Sequence, residues 1–227
     1  MPPANQQWDW GRFWQTIVYF ETIPVISWVQ AMFFGSPPSP PPPQPQNRIL
    51  FDFSQLSAPL NQVWGALDDV VMGGVSASSF QLQNGFGVFA GYVSTENSGG
   101  FASVRTRNFV PPLDLTGFTG IILRLKGDGN RYKFLVRDED SWDSVAFAFS
   151  FDTFAEEWMT VQIPFSQMVP VFRAKTVPAA RPLNAGQIRS LQLMLSKFEY
   201  DGALNPQFTP GEFRLLLQTI EVYEISP

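Results

Sequence analysis

From Arg48 onward, apolar and polar residues alternate with period two. Tyr132, Phe134 and Val136 fall on one face and Arg131, Lys133 and Arg137 on the other. Val145, Phe147, Phe149 and Phe151 alternate with Ala146, Ala148, Ser150 and Asp152. The same rhythm recurs at Met159, Val161 and Ile163, and at Leu191, Leu193 and Leu195. Successive side chains of a strand point to opposite faces, so this pattern predicts sheets with one buried face. Further strands are expected at 48–54, 78–83, 86–94, 101–107, 119–126 and 213–224. Turn signals stand between them at Asn84-Gly85, Gly127-Asp128-Gly129-Asn130 and Asp201-Gly202, the Gly127 run reading as a hairpin. About ten strands and no long amphipathic helix predict an all-β, two-sheet sandwich of jelly-roll kind over residues 48–227. Residues 164–188 escape the alternation and read as one long loop, a length that often carries function.

The pattern before Arg48 is different. Residues 8–34 hold Trp8, Trp10, Phe13, Trp14, Tyr19, Phe20, Trp28, Phe33 and Phe34, with Glu21 and Pro24 interrupting the apolar run. Phe13, Ile17, Phe20 and Pro24 fall near a helical stripe, although other faces are apolar too. A short helical segment within residues 1–36 is therefore expected. Trp and Tyr at both ends suit an interface, where an amphipathic ring keeps one edge wet. Docking to a membrane or a membrane-protein partner is preferred over packing back onto the domain, and spanning a bilayer ranks third because Glu21 and Pro24 would be costly mid-span. Trp14, Phe20 and Trp28 are the expected anchors. No basic n-region or A-x-A-like site marks a cleaved signal peptide. Residues 37–47 form a linker, because seven prolines in 37–45 favour extended polyproline II.

Composition narrows the chemistry. The chain has 227 residues with no His and no Cys, which removes imidazole relays, thiolate nucleophiles, disulfides and zinc or iron–sulfur sites of the usual kinds. Fifteen basic against 20 acidic residues give a net charge of −5, which disfavours nucleic acid, since phosphate affinity comes from clustered Lys and Arg. Twenty prolines and 17 glycines fit strands joined by turns better than a helical bundle. No cofactor is expected.

The most distinctive stretch is Trp64-Gly65-Ala66-Leu67-Asp68-Asp69-Val70-Val71-Met72-Gly73-Gly74-Val75-Ser76. Gly73-Gly74 allows a turn with positive φ, and the carboxylates can order it by accepting backbone N–H groups. An acid/base pair is the less favoured reading of Asp68 and Asp69, because adjacent side chains usually point apart. Asp138-Glu139-Asp140-Ser141-Trp142-Asp143 lacks calcium-loop spacing and reads as a solvated acidic turn. Arg173, Lys175, Arg181 and Arg189 make the 164–188 region locally basic, either as a solvated loop or as a contact for an acidic protein or anionic membrane surface.

The string W-x₃-D-D-V-V-M-G-G-V-S at Trp64–Ser76 resembles the complex I intermediate-associated protein family. So do Ser98-Gly99-Gly100-Phe101, the Trp158–Phe165 strand ending Ile-Pro-Phe, and Gly211-x-Phe213. The resemblance covers roughly Arg48 to Tyr223. It implies a galactose-binding-like jelly roll and a non-catalytic role in assembling a membrane respiratory or photosynthetic complex. Photosynthetic relatives carry similar domains, some joined to dinucleotide-binding folds, and no such unit is read in this sequence. The resemblance transfers no catalytic residue.

An assembly factor is therefore the leading expectation. Its partners would be subunits of a membrane complex under construction, either an NADH-dehydrogenase-like complex or a photosystem, met on the cytoplasmic or equivalent face. Asp68, Asp69 and Met72, with Arg173, Lys175 and Arg181, are the expected contacts of the 68–76 and 164–188 loops. Two other classes remain open. A carbohydrate-binding module would use Trp142 and the Glu96–Asn97 pair, and a carboxylate hydrolase would need Asp68, Asp69 and Glu96 to converge in a cleft.

Overall fold

Alternation in the sequence becomes thirteen strands among the residues described by the computed structural model, which are 9–20, 40–43, 48–55, 60–141 and 143–224. One antiparallel sheet is ordered β3 (Ala77–Gln83), β4 (Phe86–Val93), β13 (Gly211–Tyr223), β6 (Gly120–Lys126) and β9 (Trp158–Pro164), with β1 (Ile49–Asp52) also paired to β13. The other is ordered β11 (Lys175–Thr176), β10 (Val169–Phe172), β8 (Ala146–Asp152), β7 (Arg131–Arg137), β12 (Ser190–Ser196), β5 (Phe101–Thr106) and β2 (Trp64–Ala66). Phe53, Phe89, Phe109, Tyr132, Phe134 and the Leu191–Leu193–Leu195 row fill the space between the sheets. The expected strands appear within two residues of their predicted ends.

Three expectations change. The 164–188 segment is not one irregular loop, since it contributes β10 and β11 to the edge of the seven-stranded sheet. Pro170, Pro178 and Pro182 hide this from a reading by pattern, yet proline is tolerated at a sheet edge. The Gly127–Asn130 run is not a hairpin but carries the chain from β6 in one sheet to β7 in the other. Asp128 holds that corner, Oδ2 accepting from the Tyr132 hydroxyl at 2.9 Å and the Arg214 amide at 2.8 Å. Lys133, expected on a solvated face, is buried, giving its ammonium to the carbonyls of Phe198 and Glu199. Leu135, Ala146, Ala148 and Val171 form a second apolar cluster on that outer face, so the middle of this sheet is covered on both sides.

The N-terminal helix α1 spans Trp10–Tyr19, with Asp9 capping it by accepting the Arg12 amide at 3.1 Å. Its inner side buries Thr16 and Ile17 while Trp10, Trp14 and Val18 remain exposed. Against the ranking from sequence, this helix packs on the sandwich itself, against β2 and the short 3₁₀ turn Asp69–Met72. The reason is chemical: Arg12 finds a buried carboxylate and Tyr19 finds the bare backbone of Gly65. Pro40 is likewise buried against the domain, its carbonyl accepting the Val110 amide at 3.5 Å, while Pro41 beside it is exposed. Among the described residues no helix is long and apolar enough to cross a membrane.

Candidate functional site

Two adjacent carboxylates organise one corner of the sandwich. The Asp69–Met72 turn follows β2 at once, and Gly73 ends it in the left-handed region at φ +91°, which only glycine adopts cheaply. The chain then doubles back so that Ser76 returns onto Asp69. Asp69 Oδ1 accepts the Ser76 amide at 2.9 Å, and Oδ2 accepts the Ser76 hydroxyl at 2.7 Å and the amides of Gly100 and Phe101 at 2.8 and 3.3 Å. Ser76 Oγ also accepts the Ser94 amide at 2.9 Å, extending the chain of bonds to the end of β4.

Asp68 faces the other way. Its Oδ2 accepts Arg12 Nη2 at 2.9 Å and the Ser78 amide at 2.8 Å, and its Oδ1 accepts the Ser78 hydroxyl at 2.5 Å and the Ser103 amide at 3.0 Å. Burial pushes its carboxyl up to about 6, against the pull of Ser78, Arg12 and Ser103. Arg12 Nη1 and Nη2 also reach the carbonyls of Ser76 and Ser78, both at 3.3 Å. The pair thus ties α1, β3 and β5 together.

The glycines of the signature make room for this. A Cβ on Gly74 would stand 2.3 Å from Asp69 Cγ, and one on Gly99 2.5 Å from Asp69 Oδ2. The string D-D-x-x-x-G-G and the later S-G-G are therefore one motif, split in sequence and joined around a buried carboxylate. Its logic is architectural, because all the donors come from the fold itself.

This geometry corrects the expected contacts. Asp68 and Asp69 are 1% and 0% exposed, so neither carboxylate can meet a partner. Glu96 is exposed and does not join them, so no acid/base pair converges on a cleft here. Met72, at the tip of the same turn, is 69% exposed. Trp14 is exposed, Phe20 half-buried against Tyr19, and Trp28 and Trp142 lie outside the described residues.

The acidic 138–143 turn and the basic 164–188 stretch, read separately from sequence, are partners. Arg181 pairs with Asp138 and Glu139, Arg189 with Asp140 at 2.9 Å, and Arg173 Nε with Asp143 at 3.1 Å. Arg173 and Arg181 keep exposed surface but spend charge inside the molecule, while Lys175 is exposed on β11. Sequence reasoning missed Arg12, the cation of the carboxylate pair. Its signal was an isolated Arg at the start of an aromatic helix, opposite two adjacent acids with nothing nearby in sequence to neutralise them.

A groove of about 650 Å³ runs between α1 and the edges of β2 and β3. Arg12, Gln15 and Tyr19 form its helical wall, with Trp64, Gly65 and Ser78–Leu82 opposite. Tyr19 lies against Gly65, where a Cβ would come within 2.3 Å of its ring, and the Arg107 guanidinium stacks over that ring at 4.2 Å.

Comparison with solved structures shows a galactose-binding-like jelly roll. A family 11 carbohydrate-binding module from Clostridium thermocellum, solved with a β-1,3-1,4-mixed-linked tetrasaccharide, superposes at a TM-score of 0.57 and 17% identity over 78% of this chain and 95% of that one. An agarase superposes at 0.51 and 11% identity over 79% of this chain but only 26% of its own. These likenesses are of fold. An uncharacterized protein of Schizosaccharomyces pombe (strain 972 / ATCC 24843) is 29% identical over 175 residues, 70% of this chain and 77% of that protein. The model of the complex I intermediate-associated protein 30 family matches residues 51–217, a span that takes in the carboxylate pair, the glycines around it and nearly the whole sandwich. The chain belongs to the complex I intermediate-associated protein 30 family.

Proposed function

We propose that this protein is a non-catalytic assembly factor that holds unfinished subunits of a membrane complex, with its N-terminal helix turned toward the client or the membrane surface. Family membership supports the assembly role. One observation carries the rest. Trp10, Trp14 and Val18, spaced i, i+4 and i+8, form an exposed apolar stripe on a helix that Arg12 and Tyr19 clamp to the sandwich. Such a stripe marks a surface made to be covered, and Met72 on the neighbouring turn extends the same kind of surface. The work would be shielding: apolar surface on a subunit is occupied until the next module displaces it. The client would be a respiratory or photosynthetic NADH-dehydrogenase-like complex or a photosystem, met on the cytoplasmic or equivalent face. Neither nucleic acid nor a cofactor enters this reading.

The test replaces Trp10 and Trp14 with Glu together, which leaves Arg12, Thr16 and Tyr19 on the docking side untouched. Each exposed indole lost from a covered interface is worth roughly 1.5–3 kcal/mol, so recovery with membranes, and of co-purifying subunits in mild detergent, should fall at least about tenfold. Unchanged recovery of both would sink the reading. Sugar binding is the second reading, prompted by the shared fold with the family 11 module. A calorimetric titration with the mixed-linked tetrasaccharide that produces no heat would remove it.

A further inference from the structure

We propose that the groove between α1 and the edge of β3 receives an extended peptide segment of a partner protein, which adds as a further strand to the six-stranded sheet. This deepens the assembly reading and rests on it only for the partner's identity.

The argument begins with an unpaired edge. β3 pairs with β4 on one side and stands last in its sheet. Gln83 faces Phe86 across the two-residue Asn84-Gly85 turn, both turn residues having positive φ (52° and 78°), which makes Gln83–Phe86 a hydrogen-bonded pair. Counting back by twos, Gln81, Ser79 and Ala77 bond to β4, while Leu82, Phe80 and Ser78 turn their N–H and C=O groups outward. Ser78 verifies the count, since its amide goes to Asp68 and its carbonyl to Arg12. Farther along, the outward groups of Phe80 and Leu82 have no partner among the described residues, and both residues line the groove. A free strand edge of this kind is a template for another strand.

Trp64 and Tyr19 carry a second observation. Trp64 is 2% exposed, lines the groove, and its indole N–H has no acceptor among the described residues. Its ring otherwise meets Phe51 and Phe80 at 5.8 and 5.0 Å, so the indole sits among apolar rings beside the groove. The Tyr19 hydroxyl is also buried, with the Arg107 guanidinium over its ring as its polar neighbour. A buried N–H without an acceptor costs about 1–3 kcal/mol, and an incoming carbonyl would recover it.

The chemistry selects the occupant. Edge groups of Phe80 and Leu82 repeat about 6.8 Å apart, the two-residue repeat of another β-strand, which a peptide backbone matches and a sugar does not. Arg12, the cation in the wall, is committed to Asp68, so the groove asks for no charge. Apolar residues at alternate positions would meet Leu60, Phe80 and Leu82, and polar ones would face solvent. The groove's volume lies inside the ~300–1,000 Å³ range of ligand clefts.

The test uses the full chain. Decapeptides selected from a displayed library are synthesised in plain form and with N-methyl groups on alternate residues, and the Trp64 indole N–H signal, identified by Trp64→Phe, is followed by NMR. Plain peptides should move that signal, N-methylation should weaken binding at least about tenfold, and Leu82→Pro should weaken it about five- to tenfold by deleting one outward N–H while leaving the β4 ladder whole. Failure to select any binder would overturn the proposal, as would binders that leave the Trp64 signal still or tolerate N-methylation. A shift of the same signal by the mixed-linked tetrasaccharide alone would overturn it in favour of sugar. A parent chain that recovers no membrane subunits in the pull-down, with peptide binding intact, would sink the assembly reading and leave the groove standing.

Discussion

Asp69 offers the sharpest check on the architecture, because every bond it makes is to the fold. Asp69→Ala strands the amides of Ser76, Gly100 and Phe101 and the Ser76 hydroxyl, all deep in the corner. An unsatisfied buried donor costs about 1–3 kcal/mol, the 3.3 Å bond to Phe101 contributes least, and the Ser76 hydroxyl can turn toward the Ser94 carbonyl at 3.3 Å. The expected loss is ~3–6 kcal/mol, comparable with the whole ~5–15 kcal/mol stability of a typical domain. Asp69→Asn is the more telling variant. It keeps the shape, but in either orientation its NH₂ opposes a backbone N–H, that of Ser76 one way and Gly100 the other. A loss of ~2–4 kcal/mol follows. Urea unfolding followed by Trp fluorescence reads both values, and an unchanged slope with a lower midpoint shows that the native state is what changed. Faster amide exchange at Gly100 and Phe101 should accompany it. If Asp69→Asn unfolds within ~0.5 kcal/mol of the parent, the corner is not held by this carboxylate and the account of the signature fails.

Two further outcomes test the neighbours. Asp68 has a folded pKa of about 6 against 3.8 for the free group. Its contribution to stability is therefore fully present below about pH 4 and lost as pH rises through about 6; between about pH 4.5 and about pH 7.5 the fall is up to ~2 kcal/mol, which Asp68→Asn should abolish when denaturation is compared at those two values. Gly65→Ala places a Cβ 2.3 Å from the Tyr19 ring, so α1 should lift while the sandwich stays folded, read as faster amide exchange at residues 16–19 with little change in strand protection. Exchange at 16–19 that stays at the parent rate would show that Tyr19 does not fasten the helix.

Much was legible along the chain. Strands such as β7 and β12 announce themselves because period-two burial is a local property, written in consecutive residues. The Asp68–Ser76 string was legible as an ordered turn. What it ordered was not, because Gly99, Gly100 and Ser103 stand thirty residues away and meet Asp68 and Asp69 only across β4 and β5. β10 was missed since Pro170 is a local breaker that an edge position excuses. The acidic 138–143 turn and the basic 164–188 stretch each looked like solvent-facing charge, and only their adjacency turned them into Arg181–Asp138 and Arg189–Asp140 pairs.

By itself, then, the sequence determined the period of the strands, the exclusion of His and Cys chemistry, and a family signature. Tertiary structure decided which carboxylates are buried, which face of the aromatic helix stays bare, and which strand edge lies open beside Trp64. Alternation and turn preference act between neighbours in the chain. Charge pairing, desolvation and an unpaired edge depend on which distant segments share a few ångströms of space.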